Sequence, residues 1–168
     1  AMASRFEVLP NMVYTIAAYH DVGLVEGREK HHEVSGTMLR SDTQLSKWFS
    51  PEQIETMAQA VEDHRASAQR PPRSIYGCIV AEADRDIRLE TIVRRTVQYG
   101  LTHYPELGRE EQIKRALLHL KEKYSRSGYL RLWIPGGPNE KALQEVWDAI
   151  DNEKEIRQRI QEELGGSL

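Results

Sequence analysis

His20 and Asp21 place an imidazole and a carboxylate side by side at the end of an apolar run, just before Gly23. Upstream, Val13, Ile16, Ala17 and His20 follow the i, i+3, i+4, i+7 spacing of one helix face, so His20 is predicted to point where the core points. Asp21 follows about 100° further round the same turn, and Gly23 lets the chain turn away at once. One imidazole nitrogen and one hard carboxylate oxygen on a single turn can reach one divalent cation. Taken alone, the plainer explanation of the doublet is a buried His–Asp pair that caps a helix end.

Three further segments give the doublet company. His31, Val34, Ser35 and Met38 share one face of a second helix with Leu39 close by, which aims His31 at the same interior and turns His32 towards a neighbouring face. Ser50-Pro51-Glu52-Gln53 reads as an N-cap, a proline at the first helical position and acidic or amide residues in the first turn. The helix it opens carries Ile54, Met57, Ala58 and Val61 as its stripe, and His64 continues it. Ser74 caps a fourth helix with Ile75, Ile79, Val80, Ala83 and Ile87 inward, and Asp84 is flanked on its surface by Val80 and Ile87. Each unpaired buried polar group costs on the order of 1–3 kcal/mol, and one shared divalent cation would satisfy several together. Imidazole plus carboxylate suits Mn²⁺, Fe²⁺, Co²⁺, Ni²⁺ or Zn²⁺, or Mg²⁺ where water fills much of the shell. Cys78 is the only cysteine, so a thiolate structural zinc site is excluded and a catalytic metal is favoured.

The elements that must position these groups are helical. Asn11 is expected to cap the helix carrying His20, with Pro10 as a breaker before it. Val22–Lys30 reads as a short polar connection, and Gln69-Arg70-Pro71-Pro72-Arg73 as a rigid break. Thr91–Leu101 continues as an arginine-rich helix. A break at Pro105–Gly108 leads to a helix over about Glu110–Tyr124 with Ile113, Leu117 and Leu120 inward. Tyr129–Ile134 is short and β-prone and ends at Pro135-Gly136-Gly137-Pro138. A last helix is expected over about Asn139–Leu164, with Leu143, Val146, Trp147 and Ile150 inward and a solvated, charged rod after Asp151. The fold class is therefore all-α, with at most a short extended segment near 129–134.

Composition narrows the function classes. The 168 residues are 39% hydrophobic and 29% charged with a net charge of −3, which gives no electrostatic case for nucleic acid or anionic membrane. No apolar run approaches the ~18–20 residues that span a bilayer, and with one cysteine and no signal-peptide layout a cytoplasmic location is expected. Gly136-Gly137 lies between prolines without a following Lys-Ser or Lys-Thr and reads as a turn, not a phosphate loop. No serine-nucleophile motif is present, and Cys78 sits on a core helix where a reactive thiolate is not expected.

The ordered set His20-Asp21, His31, His64, Asp84 resembles the HD-domain metal-dependent phosphohydrolase superfamily, an all-α fold named for its His-Asp doublet. The strings Ile16-Ala17-Ala18-Tyr19-His20-Asp21-Val22-Gly23, His31-His32-Glu33-Val34-Ser35-Gly36 and Glu62-Asp63-His64-Arg65-Ala66-Ser67 carry the likeness. Pro72-Arg73-Ser74-Ile75-Tyr76-Gly77 and Val80-Ala81-Glu82-Ala83-Asp84-Arg85 are similar to an uncharacterised bacterial branch of it. The resemblance implies a single HD-like helical domain over 1–168, with a metal-site core at about 11–90 and a C-terminal helical extension at about 109–164. In the family pattern the doublet and the final aspartate bind a first metal with a further histidine from an upstream helix. That carries over to His20, Asp21 and Asp84. No histidine precedes Asn11 here, and the mid-helix look of Ala1–Phe6 makes an upstream helix outside the given sequence the expectation. His31 and His64 match positions that bind a second metal or contact substrate, so one or two ions per chain are implied.

The resemblance also implies hydrolysis of a small phosphorylated compound, a nucleotide for example, by metal-activated water. His20, Asp21, His64 and Asp84 are the catalytic candidates, with His64 or His31 protonating the leaving oxygen or holding the phosphate. Arg65 and Arg73 are the candidates for the substrate phosphate, and surface or salt-bridging arginines are the alternative. Asp63 is either an acceptor that orients the His64 ring or an ordinary exposed acid. The other function class open at this point is an HD-like ligand-binding or regulatory module without turnover. A homodimer through Trp48-Phe49 and the C-terminal rod is an expectation that packing within the chain would equally meet.

Overall fold

A computed structural model describes residues 3–65 and 70–166. Its elements are all helical: α1 (Pro10–Tyr19), α2 (His31–Ser41), α3 (Pro51–Glu62), α4 (Ile75–Ala83), α5 (Leu89–His103), α6 (Arg109–Tyr124), α7 (Pro138–Asp151) and α8 (Glu153–Gly166). No strand occurs among the described residues, so the all-α expectation holds and the β-prone 129–134 is irregular chain. None of these helices is long and apolar enough to cross a membrane. Packing divides the chain into two compact units, residues 1–85 with 131–135, and residues 86–130 with 136–168. The metal-site core anticipated at 11–90 falls in the first except for its last five positions, and the extension anticipated at 109–164 falls in the second apart from 131–135.

In the first unit α3 is the central helix, packed on α1, α2 and α4. It is there because Met57, Ala58, Ala60 and Val61 make one face small and wholly apolar, and that face is buried against Met12, Ile16, Leu39 and Val80. Fully burying a side chain such as Ile16 or Met57 contributes roughly 1.5–3 kcal/mol. The start of α3 is fixed at the predicted N-cap by a capping box: Ser50 Oγ accepts the Gln53 N–H at 3.3 Å and Gln53 Oε1 accepts the Ser50 N–H at 2.9 Å. Ser50→Ala is expected to cost ~1 kcal/mol of stability, read as a lower urea midpoint with an unchanged slope. Ser74 caps α4 with one such bond, its Oγ accepting the Gly77 N–H at 3.3 Å.

Several boundaries differ from the sequence reading. Pro10 is the first residue of α1 and not a breaker, since its missing N–H falls where the helix has no acceptor for it. Leu9 occupies the N-cap in place of Asn11, and its N–H donates to Tyr76 Oη at 2.9 Å. Met12 replaces Ala17 in the buried stripe, leaving Ala17 exposed. Val22–Glu26 is a 3₁₀ turn within the expected loop. α4 stops at Ala83, so Ile87 is not on this helix, and Ile75 and Ala83 at its two ends are exposed. Of the expected helical tail over Ala1–Phe6, Ala1 and Met2 lie outside the described residues and Ala3–Arg5 form one 3₁₀ turn. Ala66, Ser67 and Gln69 also lie outside them.

The second unit packs α5 on α6 and α8, and α7 on α6 and α8. The long final helix is two helices, because Asn152 leaves helical geometry at φ −93° and ψ 82° and its Oδ1 accepts the Glu155 N–H at 3.3 Å as a new cap. The charged rod after Asp151 is not simply solvated: Ile156, Ile160 and Leu164 repeat every four residues and are buried.

Candidate metal centre

The five polar residues of the sequence pattern gather at helix ends. His20 closes α1, its N–H still bonded to the Ile16 carbonyl at 2.9 Å, and Asp21 follows it. His31 opens α2. His64 comes directly after Asp63, the residue that closes α3, and Asp84 closes α4. Three helices thus turn their carbonyl ends towards this region, where the helix dipole favours a positive charge.

Gly23 lets the Asp21 turn approach α2. A Cβ there would stand 2.3 Å from the His31 carbonyl oxygen and 2.7 Å from the Ser35 nitrogen. The Gly23 N–H donates to Ser35 Oγ at 2.8 Å, so this buried serine fastens the turn that carries Asp21 to the helix that begins with His31. The sequence reading gave Gly23 the role of a turn and missed close approach, and it placed Ser35 only on the stripe.

The structure brings all five side chains together. His31 Nε2 and His64 Nε2 are 3.1 Å apart, and Asp21 Oδ1 lies 3.4 Å from the first and 3.6 Å from the second. His20 Nε2 lies 3.5 Å from Asp21 Oδ2 and 3.4 Å from Asp84 Oδ1. Asp21, His31 and His64 offer ligand atoms that all lie within 4.8 Å of one another.

Hydrogen bonding on the far side of each ring fixes what faces inward. Nδ1 of His20 lies 2.7 Å from the Ala17 carbonyl, Nδ1 of His31 lies 2.7 Å from Arg28 O, and Nδ1 of His64 lies 2.5 Å from Val61 O. A carbonyl only accepts, so each Nδ1 carries the hydrogen and each neutral ring presents an Nε2 lone pair to the centre. With all three rings neutral, lone pairs and carboxylate oxygens face one another at 3.1–3.6 Å with no donor among these atoms. An added proton would need an imidazolium, and at His64, with 3% of its side chain exposed, burial pushes the pKa below the ordinary histidine value. A divalent cation relieves the crowding, and ligand atoms held ~2.1 Å from one ion are about 3.0–3.4 Å apart. Asp21, His31 and His64 have the spacing that fits such an ion, and His20 and Asp84 adjoin them through Asp21.

Access comes from the carboxylates. Asp21 and Asp84 are 47% and 45% exposed, so the centre is a floor of imidazoles with a wet acidic rim. Asp84 is thus not the buried carboxylate that the Val80/Ile87 pattern predicted, because α4 ends before Ile87 can cover it.

The surrounding charges are arranged differently from expectation. Asp63 does not orient the His64 ring, which is held by Val61; it is buried and accepts from the Arg73 N–H at 2.7 Å and from Arg73 Nε at 3.0 Å. Arg73 Nη2 also donates to Glu62 at 2.6 Å and to the Gln59 carbonyl at 3.1 Å. Arg65 Nη1 donates to the Glu29 carbonyl at 2.6 Å. Both arginines line a cavity of about 280 Å³ together with His32, Glu33, Glu62, Asp63 and Arg70. His32 faces this cavity and not the three-imidazole centre, in line with the helix-face choice of His31.

Burial also lowers the His32 pKa, with the Arg65 charge adding to it. His32 and His64 both bind a proton less readily in the folded chain than at their unfolded value of 6.5. Their contribution to stability is therefore complete above that value and is lost as the pH falls through the lowered folded values. The metal-free protein is expected to lose stability on acidification below about pH 6.5, and urea midpoints across that range check it; His64→Gln should flatten the loss.

Residues 1–89 match the model of the HD domain family. No curated protein and no solved structure matches the chain.

Proposed function

We propose, for a chain that belongs to the HD domain family, a metal-dependent phosphohydrolase that acts on small phosphorylated compounds, nucleotides being the first class to test. The observation that carries this reading is the convergence of three Nε2 lone pairs and two carboxylates with no donor among them. Bound there, a divalent cation supplies polarisation of a phosphoryl oxygen and a water acidic enough to attack near neutral pH.

His20, Asp21 and Asp84 are the proposed ligands of the first ion. His31 and His64 hold a second ion or meet the substrate. Their Nδ1 hydrogens are committed to backbone carbonyls, which favours a ligand or proton-accepting role over the proton donor of the sequence reading. The half-exposed rim then leaves solvent to protonate the leaving oxygen. Arg65 Nη1 is held by the Glu29 carbonyl, and among the described residues its Nε and Nη2 remain for a substrate phosphate. Arg73 shares its cavity, but its fork is already held by Asp63 and Glu62, which makes it the weaker phosphate contact.

The test is phosphate release from a nucleotide panel by protein loaded with Mn²⁺, Co²⁺ or Ni²⁺. Turnover that disappears in Asp84→Ala is the expected result. Cation binding without turnover on any member of the panel would favour a regulatory or ligand-binding module.

A further inference from the structure

We propose that residues 131–135 form a strap that positions Asp84 for its cation, with Glu82 and Arg85 as positioning residues. This rests on the reading of Asp84 as a cation ligand. The Asp84 side chain is 45% exposed and stands on the backbone turn that closes α4, so the aim of its carboxylate depends on where that turn is held. That turn is bracketed by two sunken charges. The Glu82 side chain is fully buried and that of Arg85 is 6% exposed, with Arg85 Nη1 3.7 Å from Glu82 Oε1.

Both charges direct hydrogen bonds to one short stretch of backbone. Glu82 Oε1 accepts the Trp133 N–H at 2.5 Å and the Ile134 N–H at 3.4 Å. Arg85 Nη1 donates to the Arg131 carbonyl. Residues 131–135 thus offer N–H groups to the carboxylate and a carbonyl to the guanidinium, a complementary match to the pair. Pro135 at the end of the strap accepts from Arg5 Nη2 at 3.4 Å. The strap belongs to the same compact unit as the centre, yet it lies outside residues 1–89 that match the family. A buried carboxylate stays buried only while its hydrogen bonds are met. If the strap shifts, Glu82 loses the Trp133 and Ile134 donors, and the turn it shares with Asp84 loses that anchor.

The test uses full-length protein and Mn²⁺ alone, with calorimetric titration of wild type, Glu82→Gln, Arg85→Met, Arg85→Lys and Asp84→Asn. At a temperature where circular dichroism shows each variant folded, Glu82→Gln and Arg85→Met are expected to bind Mn²⁺ about tenfold or more weakly, with Arg85→Lys recovering part of the loss. In wild type, saturation with Mn²⁺ should slow hydrogen exchange at the Trp133 and Ile134 amides more than at the buried Val146 amide of the second unit. Should Arg85→Met fail to fold, Glu82→Gln and the exchange measurement decide. Wild-type affinity in the folded Glu82 and Arg85 variants, with unchanged exchange at 133–134, overturns the strap while Asp84→Asn still loses the ion. Wild-type affinity in Asp84→Asn overturns the ligand reading and the strap with it.

Discussion

Replacing Asp21 with alanine is expected to abolish cation binding and to lower phosphate release by about three orders of magnitude, since the ion's several kcal/mol of transition-state stabilisation goes with it. Among the described residues Asp21 is the one that reaches all three imidazoles: Oδ1 lies 3.4 Å from His31 and 3.6 Å from His64, and Oδ2 lies 3.5 Å from His20. These partners are themselves acceptors, and the aspartate is half exposed, so its removal leaves no buried donor unmet. The metal-free variant should therefore melt no lower than metal-free wild type. Adding Mn²⁺ at a hundred times its Kd should stabilise wild type by ~2.7 kcal/mol and leave Asp21→Ala unmoved. Paired melting curves with and without Mn²⁺ read both halves of this expectation. A variant that melts like wild type and still responds to Mn²⁺ would remove Asp21 from the ligand set.

Gly23→Ala should damage stability and site together. The added carbon would meet the His31 carbonyl at 2.3 Å and the Ser35 nitrogen at 2.7 Å, and both are backbone atoms in the first turn of α2. Backbone in a packed helix cannot step aside as a side-chain tip can, so α2 must move away from the Asp21 turn. Overpacking of this kind costs about 1–3 kcal/mol, and the shift draws His31 off Asp21. Cation affinity is expected to fall about 10–100-fold. Gly27→Ala is the control. Gly27 has φ 104° with nothing within 4 Å of the added carbon, so it strains the loop without pressing on the centre. Equal Mn²⁺ affinity in Gly23→Ala and wild type would show that the seam between turn and helix does not set the ligand geometry.

Much of the centre was legible because it depends on local periodicity and capping. The stripe of α3 ran through Val61 to His64, and both are buried as the spacing required. Helix phase also separated His31 from His32, and the structure puts one in the centre and the other in the neighbouring cavity. Ser50 and Ser74 announced their helices because side-chain oxygens at an N-cap leave a pattern in the residue types.

The stop of α4 left no such mark. Asp84 closes the helix with αR dihedrals, without a glycine or proline to signal the end, so the apolar period ran on to Ile87 and gave Asp84 a false burial. The break at Asn152 was readable, since an asparagine three residues before a glutamate is a capping pattern, yet the surrounding charge masked the Ile156, Ile160 and Leu164 stripe. The role of Glu82 was not legible, because two of its partners are backbone N–H groups 51 and 52 residues away, and a backbone donor has no letter in the sequence. Arg73 shows the same limit: nothing in its surroundings along the chain revealed that Asp63, ten residues earlier, would occupy its fork.

Anomalous diffraction from crystals of the whole chain grown or soaked with Mn²⁺ tests the central claim most directly. The account requires a manganese peak at bonding distance, about 2.0–2.3 Å, from His20 Nε2 and from oxygens of Asp21 and Asp84. A fully soaked crystal with no peak among these side chains, or with its peak elsewhere on the molecule, would contradict it.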